Sequence, residues 1–281
     1  MRRKEGVTMA KDYIKFVDVT KCDGCRACMV ACKNWNDLPA EPEEYSGSIQ
    51  SHTKVTANTW NVITYNEHET SDGNFEWLFR HQSCLHCVEA ACEKACPEDA
   101  ISHTEFGSVV INADKCVGCG YCVQNCTFDV VELATYKDKY GKEYKKAQKC
   151  DLCTSRLEEG LQPACVTACH TDCLVFDEKD KVLSEAEMRL AKIKERFPNA
   201  NIYNPQGIRG TKTVYLLAEK PSVYGLPENP KVPLSQIVWK DYAQPLGKAM
   251  FGVTTMAVVG SVIAHAINKE KKEQKGGQEH E

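Results

Sequence analysis

The chain of 281 residues lacks a surplus of either charge: 35 Lys and Arg stand against 39 Asp and Glu, a formal charge of −4. Nucleic-acid binding is therefore excluded as the main activity, because neutralising phosphates takes clustered cations in excess. Proline and glycine, at 11 and 17 residues, are not abundant, and 42% of the chain is hydrophobic, which excludes widespread disorder. No G-x-G-x-x-G follows a strand pattern and no acid–base constellation stands beside a pocket pattern, so the usual signs of a self-contained enzyme are missing. Residues 1–11 carry Arg2 and Arg3 but no apolar run behind them. They do not read as an export signal by themselves; they read as a disordered start, with Met9 a second candidate for initiation.

What is present is cysteine. Seventeen of 281 residues fall below the density of small disulfide scaffolds, roughly 8–10% in much shorter chains. Sixteen of them form four groups of four: Cys22, Cys25, Cys28 and Cys32; Cys84, Cys87, Cys92 and Cys96; Cys116, Cys119, Cys122 and Cys126; and Cys150, Cys153, Cys165 and Cys169. The first and third share the spacing C-x-x-C-x-x-C-x-x-x-C. The second is stretched in the middle, the fourth carries an insertion between its two pairs, and Cys173 is left over.

A disulfide framework does not call for that repeat and strands one thiol of an odd set. Structural zinc suits two C-x-x-C pairs, so the fourth group alone passes for a zinc site, and a zinc-stabilised interaction module is the rival of another class. The repeated run itself is the bacterial ferredoxin spacing, in which three thiolates hold one cubane and the fourth, after a helical turn, reaches the partner cluster. Sixteen thiolates at four per cubane predict four [4Fe–4S] clusters working in pairs. Gly24, Gly118 and Gly120 permit loop dihedrals that aim backbone N–H groups at a negative cluster.

Between the groups, strands are expected over 13–19, 61–65, 75–79 and 214–218, a hairpin over the Val109, Val110 and Ile111 segment, and a loop or β excursion through the Pro- and Glu-rich 39–44. Asp18 before Cys22 and Asn112 before Cys116 begin similar lead-ins, a sign of internal repetition. The lysine-rich 137–149 reads as a solvated loop. Residues 184–197 read as an amphipathic helix, capped by Ser184 and Glu187 and stopped by Pro198. Residues 249–267 contain no Asp, Glu, Lys or Arg, and at about 1.5 Å per residue they just cross a hydrocarbon core of about 30 Å. Trp239 and Tyr242 precede them as interfacial anchors, small residues such as Gly252, Gly260, Ser261 and Ala264 suit helix packing, and Lys269, Lys271 and Lys272 follow, which favours a cytoplasmic C-terminus.

The four-group order, EWLFRHQSCLHC, CVGCGYC, the stretch YNPQGIRGTKTVYLLAEKPSVYGLPENPK and one C-terminal apolar segment resemble the iron–sulfur β subunits of membrane-bound, quinone-linked formate dehydrogenases. The cysteine groups alone are shared more broadly, by subunits serving molybdopterin oxidoreductases, sulfur-compound or dimethyl sulfoxide reductases and some hydrogenases. The resemblance implies an α+β fold with two ferredoxin-like double-cluster units and a single C-terminal transmembrane helix. It divides the chain into 12–80 plus 136–183 (groups one and four), 81–135 (groups two and three), a helix and extended connector over 184–245, a transmembrane helix over 246–268 and a charged tail over 269–281. It further implies the ligand sets Cys22, Cys25, Cys28 with Cys169; Cys150, Cys153, Cys165 with Cys32; Cys84, Cys87, Cys92 with Cys126; and Cys116, Cys119, Cys122 with Cys96. The implied partners are a molybdopterin (molybdenum or tungsten) catalytic subunit that oxidises formate, a membrane cytochrome b subunit and the lipid bilayer. The implied place is the cell membrane, with the cluster domain on the periplasmic face, exported already folded on the signal of the catalytic partner. Only Cys96 is followed by proline; Lys33, Thr127 and His170 hold that place elsewhere, a departure from such runs. Cys173 reads as a small buried residue, His86, His103 and His170 as surface or packing residues, and Trp35 and Tyr121 as packing residues.

Overall fold

A computed structural model describes residues 12–41, 44, 47, 49, 50, 52–69, 73 and 75–276. The expected disordered start over 1–11, parts of 39–44 and the tail beyond 276 lie outside the described residues. Two compact parts divide between Val232 and Pro233.

In the first part the elements run β1 (Tyr13–Asp18), α1 (Ala27–Trp35), β2 (Val62–Glu69), β3 (Phe75–Gln82), α2 (Ala91–Lys94), β4 (Ile101–His103), β5 (Val109–Ile111), α3 (Tyr121–Gln124), β6 (Glu132–Lys137), β7 (Glu143–Gln148), α4 (Thr154–Glu158), α5 (Ala164–Thr167), β8 (Leu174–Glu178), α6 (Lys179–Ile193), β9 (Asn201–Tyr203) and β10 (Thr213–Leu217). A four-stranded sheet has the order β8-β1-β10-β9, with β1 parallel to β10 and antiparallel to β8. Side chains alternate across a strand, so β1 serves two layers. Ile14 and Phe16 join Val182, Ala186, Ile193, Val214 and Leu216 in one core. Lys15 and Val17 take the opposite face, and both are buried.

Each cysteine loop feeds a short helix, and these helices pack in two couples, α1 against α5 and α2 against α3. That couples group one with group four and group two with group three. Three antiparallel hairpins flank them: β2–β3, β4–β5 and β6–β7.

Two local expectations are corrected. Residues 137–149 are not a solvated loop: β7 pairs with β6 in the register Leu133↔Ala147, Tyr136 stacks on Tyr144 at 5.5 Å, and Lys149 is buried. Its lysines fall on both faces, Lys145 beside Ala147 and Lys146 paired with Ala134, and so mask the alternation. The amphipathic helix spans Lys179–Ile193 rather than 184–197, because Val182 extends its buried stripe toward the N-terminus and Ser184 with Glu187 falls inside it. Its C-terminal end continues only as a turn, with Phe197 N–H donating to the Ile193 carbonyl at 2.8 Å.

The second part is helical. α7 (Leu234–Val238), a π-helical turn (Trp239–Ala243) and α8 (Gln244–Gly276) follow one another directly, so helix begins inside the segment read as connector. Met250, Phe251, Val253, Met256, Val259 and Val262 are all exposed on it. The hydroxyls of Thr254, Thr255 and Ser261 donate back to the carbonyls of Met250, Phe251 and Val258 at 3.1, 2.8 and 2.8 Å, which satisfies them without solvent. One helix long and apolar enough to cross a membrane results.

Candidate iron–sulfur centres

All seventeen thiols are free. In every group the residue before the second cysteine has a left-handed backbone: Gly24 at φ 75°, His86 at 52°, Gly118 at 73° and Leu152 at 62°. This turn folds the first two thiols of each loop to one side. A second left-handed position follows three of the fourth cysteines, at Asp99, Asp129 and Asp172. There the chain doubles back and aims an N–H at the sulfur: Ala100 to Cys96 at 3.3 Å, Val130 to Cys126 at 3.5 Å, and Leu174 to Cys169 at 3.4 Å. His86 N–H to Cys84, Leu152 N–H to Cys150 and Ala147 N–H to Cys116, each at 3.4 Å, do the same for first cysteines.

The thiols crowd across groups as well as within them. Burial and then Cys165, Cys22, Cys25 and Cys169 push the Cys28 thiol well above its ordinary range. Burial, Cys165 and Cys153 push Cys32 up to about 12. Burial first, then Cys84, Cys92 and Cys126, raises Cys87 strongly, while burial with Cys116, Cys119 and Cys96 takes Cys122 to about 11. The fourth cysteine of each group is thus found beside the first three of another: Cys169 with group one, Cys32 with group four, Cys126 with group two, Cys96 with group three. Cys150 also bears on Cys84, which brings the two couples together at one point.

These neighbourhoods fit a cluster by their donor chemistry. Buried thiols held up this far ionise only against strong positive charge, which metal coordination supplies. One cavity is lined by Cys32, Cys150, Cys153 and Cys165, another by Cys96, Cys116, Cys119 and Cys122. His81 lines the first, fully buried, with neither ring nitrogen hydrogen-bonded among the described residues. Two buried lysines stand where the couples meet. Lys15 Nζ donates to Ser83 Oγ at 2.8 Å; burial opposes its charge, but Cys165, Cys150 and Cys84 outweigh that and raise its pKa. Lys149 Nζ donates to the carbonyls of Val109 and Cys150, and the same balance, with Cys84, Cys92 and Cys150, raises it too.

The remaining candidates divide. Cys173 is buried beside Cys22 and Cys169, and contact with Cys173 is the main reason Cys169 falls to about 5. His103 packs away from the thiols, with Nδ1 3.0 Å from Glu93 and Nε2 2.9 Å from the Cys87 carbonyl. His170 is exposed, 3.7 Å from Cys25 Sγ and 3.0 Å from Asp23, so that trio belongs to the first group and is no separate site. Trp35 packs under the Arg156 guanidinium at 4.5 Å, and Tyr121 is exposed. His86 is not a surface residue: it is fully buried, 3.7 Å from Cys150 Sγ. Sequence reasoning missed Lys15 and Lys149; a lysine inside the apolar strand YIKFVD was the available signal.

Family models described as 4Fe-4S dicluster domains match residues 21–100 and 75–179. The nitrate-inducible formate dehydrogenase iron–sulfur subunit of Escherichia coli K12 is 38% identical over 272 residues, covering 94% of this chain and 90% of that protein. The formate dehydrogenase-O iron–sulfur subunit of the same organism is 36% identical over 269 residues, 94% of this chain and 87% of its own. The chain belongs to the family of formate dehydrogenase iron–sulfur subunits. A further member, the formate dehydrogenase 2 subunit beta (cytochrome c-553) of Nitratidesulfovibrio vulgaris, is 31% identical over 217 residues, covering 74% of this chain and 94% of that one. Two dicluster domains account for four [4Fe–4S] clusters, and the zinc-module reading falls with them. The two models overlap over 75–100 and follow the chain in order, whereas the helices couple group one with group four around groups two and three.

Proposed function

We propose that this chain is the electron-conducting subunit of a membrane-bound, quinone-linked formate dehydrogenase. It passes electrons from a molybdopterin subunit that oxidises formate toward a cytochrome b subunit in the membrane. The observation that carries the reading is the crowding of each fourth cysteine against the first three of its coupled group. It supports Cys22, Cys25, Cys28 and Cys169; Cys150, Cys153, Cys165 and Cys32; Cys84, Cys87, Cys92 and Cys126; and Cys116, Cys119, Cys122 and Cys96 as the four ligand sets. Bound there, the clusters supply one-electron redox chemistry. The chain's own residues supply the rest: N–H groups aimed at sulfur, Lys15 and Lys149 offsetting negative charge, and left-handed turns that fix the thiols. In this arrangement 12–80 with 136–183 form the outer pair and 81–135 the inner pair.

Exposed apolar side chains along α8 support membrane attachment through 246–268, and Lys269, Lys271 and Lys272 favour a cytoplasmic end with the cluster domain outside. Anaerobic purification of the complex tests the whole reading. About sixteen iron and sixteen sulfide per chain are expected, with a co-purifying molybdopterin subunit and bleaching of the brown colour by formate. Stoichiometric zinc without labile sulfide, or a nickel–iron partner, overturns it.

A further inference from the structure

One histidine joins the outer pair to the inner pair. His86 lies between Cys84 and Cys87 and is fully buried. Its φ of 52° is a left-handed conformation that a non-glycine residue adopts only at a cost, and the side chain so directed is engaged at both ring nitrogens. Val109 N–H donates to Nδ1 at 3.0 Å. A neutral imidazole has one acceptor and one donor nitrogen, so acceptance at Nδ1 leaves the hydrogen on Nε2. Nε2 stands 3.7 Å from the Sγ of Cys150, the first thiol of group four.

We propose that His86 is the link across which the two double-cluster pairs exchange electrons, its Nε2–H donating to Cys150 Sγ while its own backbone connects Cys84 to Cys87. This rests on the electron-conducting reading above. A hydrogen bond to a ligand sulfur favours the more negative, reduced state and raises the potential of the centre that Cys150 serves. It also connects the Cys84–Cys87 loop to Cys150 by covalent bonds and one contact of 3.7 Å. One electron crosses at a time, oxidising the centre it leaves and reducing the one it enters. No proton moves, because Nε2 keeps its hydrogen.

The test uses the whole complex with 15N-labelled histidine, partly reduced, and pulsed EPR. A weakly coupled histidine nitrogen and an exchangeable proton on one cluster are expected. His86→Asn, which tolerates the left-handed backbone and is too short to reach Cys150, is expected to lose that coupling and to lower one midpoint potential. The other midpoints and the iron and sulfide content hold. His86→Gln, with a longer amide N–H, restores part of the shift. No histidine coupling in the unaltered protein overturns the proposal. So does a coupling that survives His86→Asn with every midpoint unchanged, since buried His81 then becomes its source. If His86→Asn fails to load iron, the coupling in the unaltered protein and the His86→Gln midpoints decide. Failure of the underlying reading looks different: no iron and no cluster signal.

Discussion

Asp18 closes β1 and holds the turn that enters the first cysteine group. Its carboxylate, 1% exposed, accepts from Thr20 N–H at 3.0 Å, from the Thr20 hydroxyl at 2.5 Å and from Arg189 Nε at 3.2 Å. Hydrogen bonds to a buried charge each contribute about 1.5–3 kcal/mol. Asp18→Ala is expected to cost about that much in chemical unfolding of the loaded protein and to release iron from group one first, read by iron loss over time. The sequence displays half of this device, since Asp18 and Asn112 precede groups one and three. Asn112 Oδ1 accepts from Asp114 and Lys115 N–H at 2.9 and 3.2 Å in the same manner. Arg189 was not legible, because nothing local announces a partner on a helix so far along the chain. His103 gives a pH-dependent case. Its bond to Glu93 raises its pKa above the ordinary value near 6.5. The pairing therefore stabilises fully below the unfolded pKa and fades as pH rises through the folded one. His103→Gln is expected to lower the unfolding free energy more at pH 6 than at pH 9, by less than about 1 kcal/mol for a part-exposed pair. An equal loss at both pH values would contradict the pairing.

The cysteine loops are the elements that matter, and their glycines differ in what they tolerate. A Cβ at Gly118 would meet the Lys145 carbonyl oxygen at 2.3 Å, whereas one at Gly24 would meet the Tyr65 hydroxyl at 3.1 Å. β7 backbone cannot retreat without opening its hairpin; a tyrosine side chain turns aside at small cost. Both variants suffer the left-handed penalty of about 1–2 kcal/mol. Gly118→Ala is therefore expected to lose about four iron per chain, and Gly24→Ala to keep them, by iron and sulfide analysis. Gly24 and Gly118 were readable as turn residues. His86 and Leu152 adopt the same conformation at the matching places and were not, because burial on all sides, rather than the residue's own preference, imposes it. The hairpin β6–β7 was hidden for a related reason. Its buried residues are little more than Ala134 and Ala147, with Leu133 half-buried, and the lysines around them look like loop.

At the scale of the whole molecule, the apolar segment was plain from composition, since nineteen uncharged residues in 249–267 need no tertiary information to detect. Deleting residues 246–281 while retaining the partner subunits is expected to reduce the share of this chain in the membrane fraction. Unchanged attachment would show that the partners alone hold it. The number of clusters was equally plain, because sixteen thiols divide by four. The nesting was not derivable from spacing. It appears as β1 paired with β8 and β10, and α1 packed against α5, from opposite ends of the first part.

That nesting imposes a timetable on a chain made from its N-terminus. Groups two and three have all emerged once Cys126 leaves the ribosome. Groups one and four cannot meet until Cys169 does, and β1 has no parallel neighbour until Leu217. Cys22, Cys25, Cys28 and Cys32 are thus the first thiols made and among the last enclosed. Through that interval they are open to oxidation and wrong pairing. Keeping them competent for iron therefore calls for reducing conditions until the outer shell has closed.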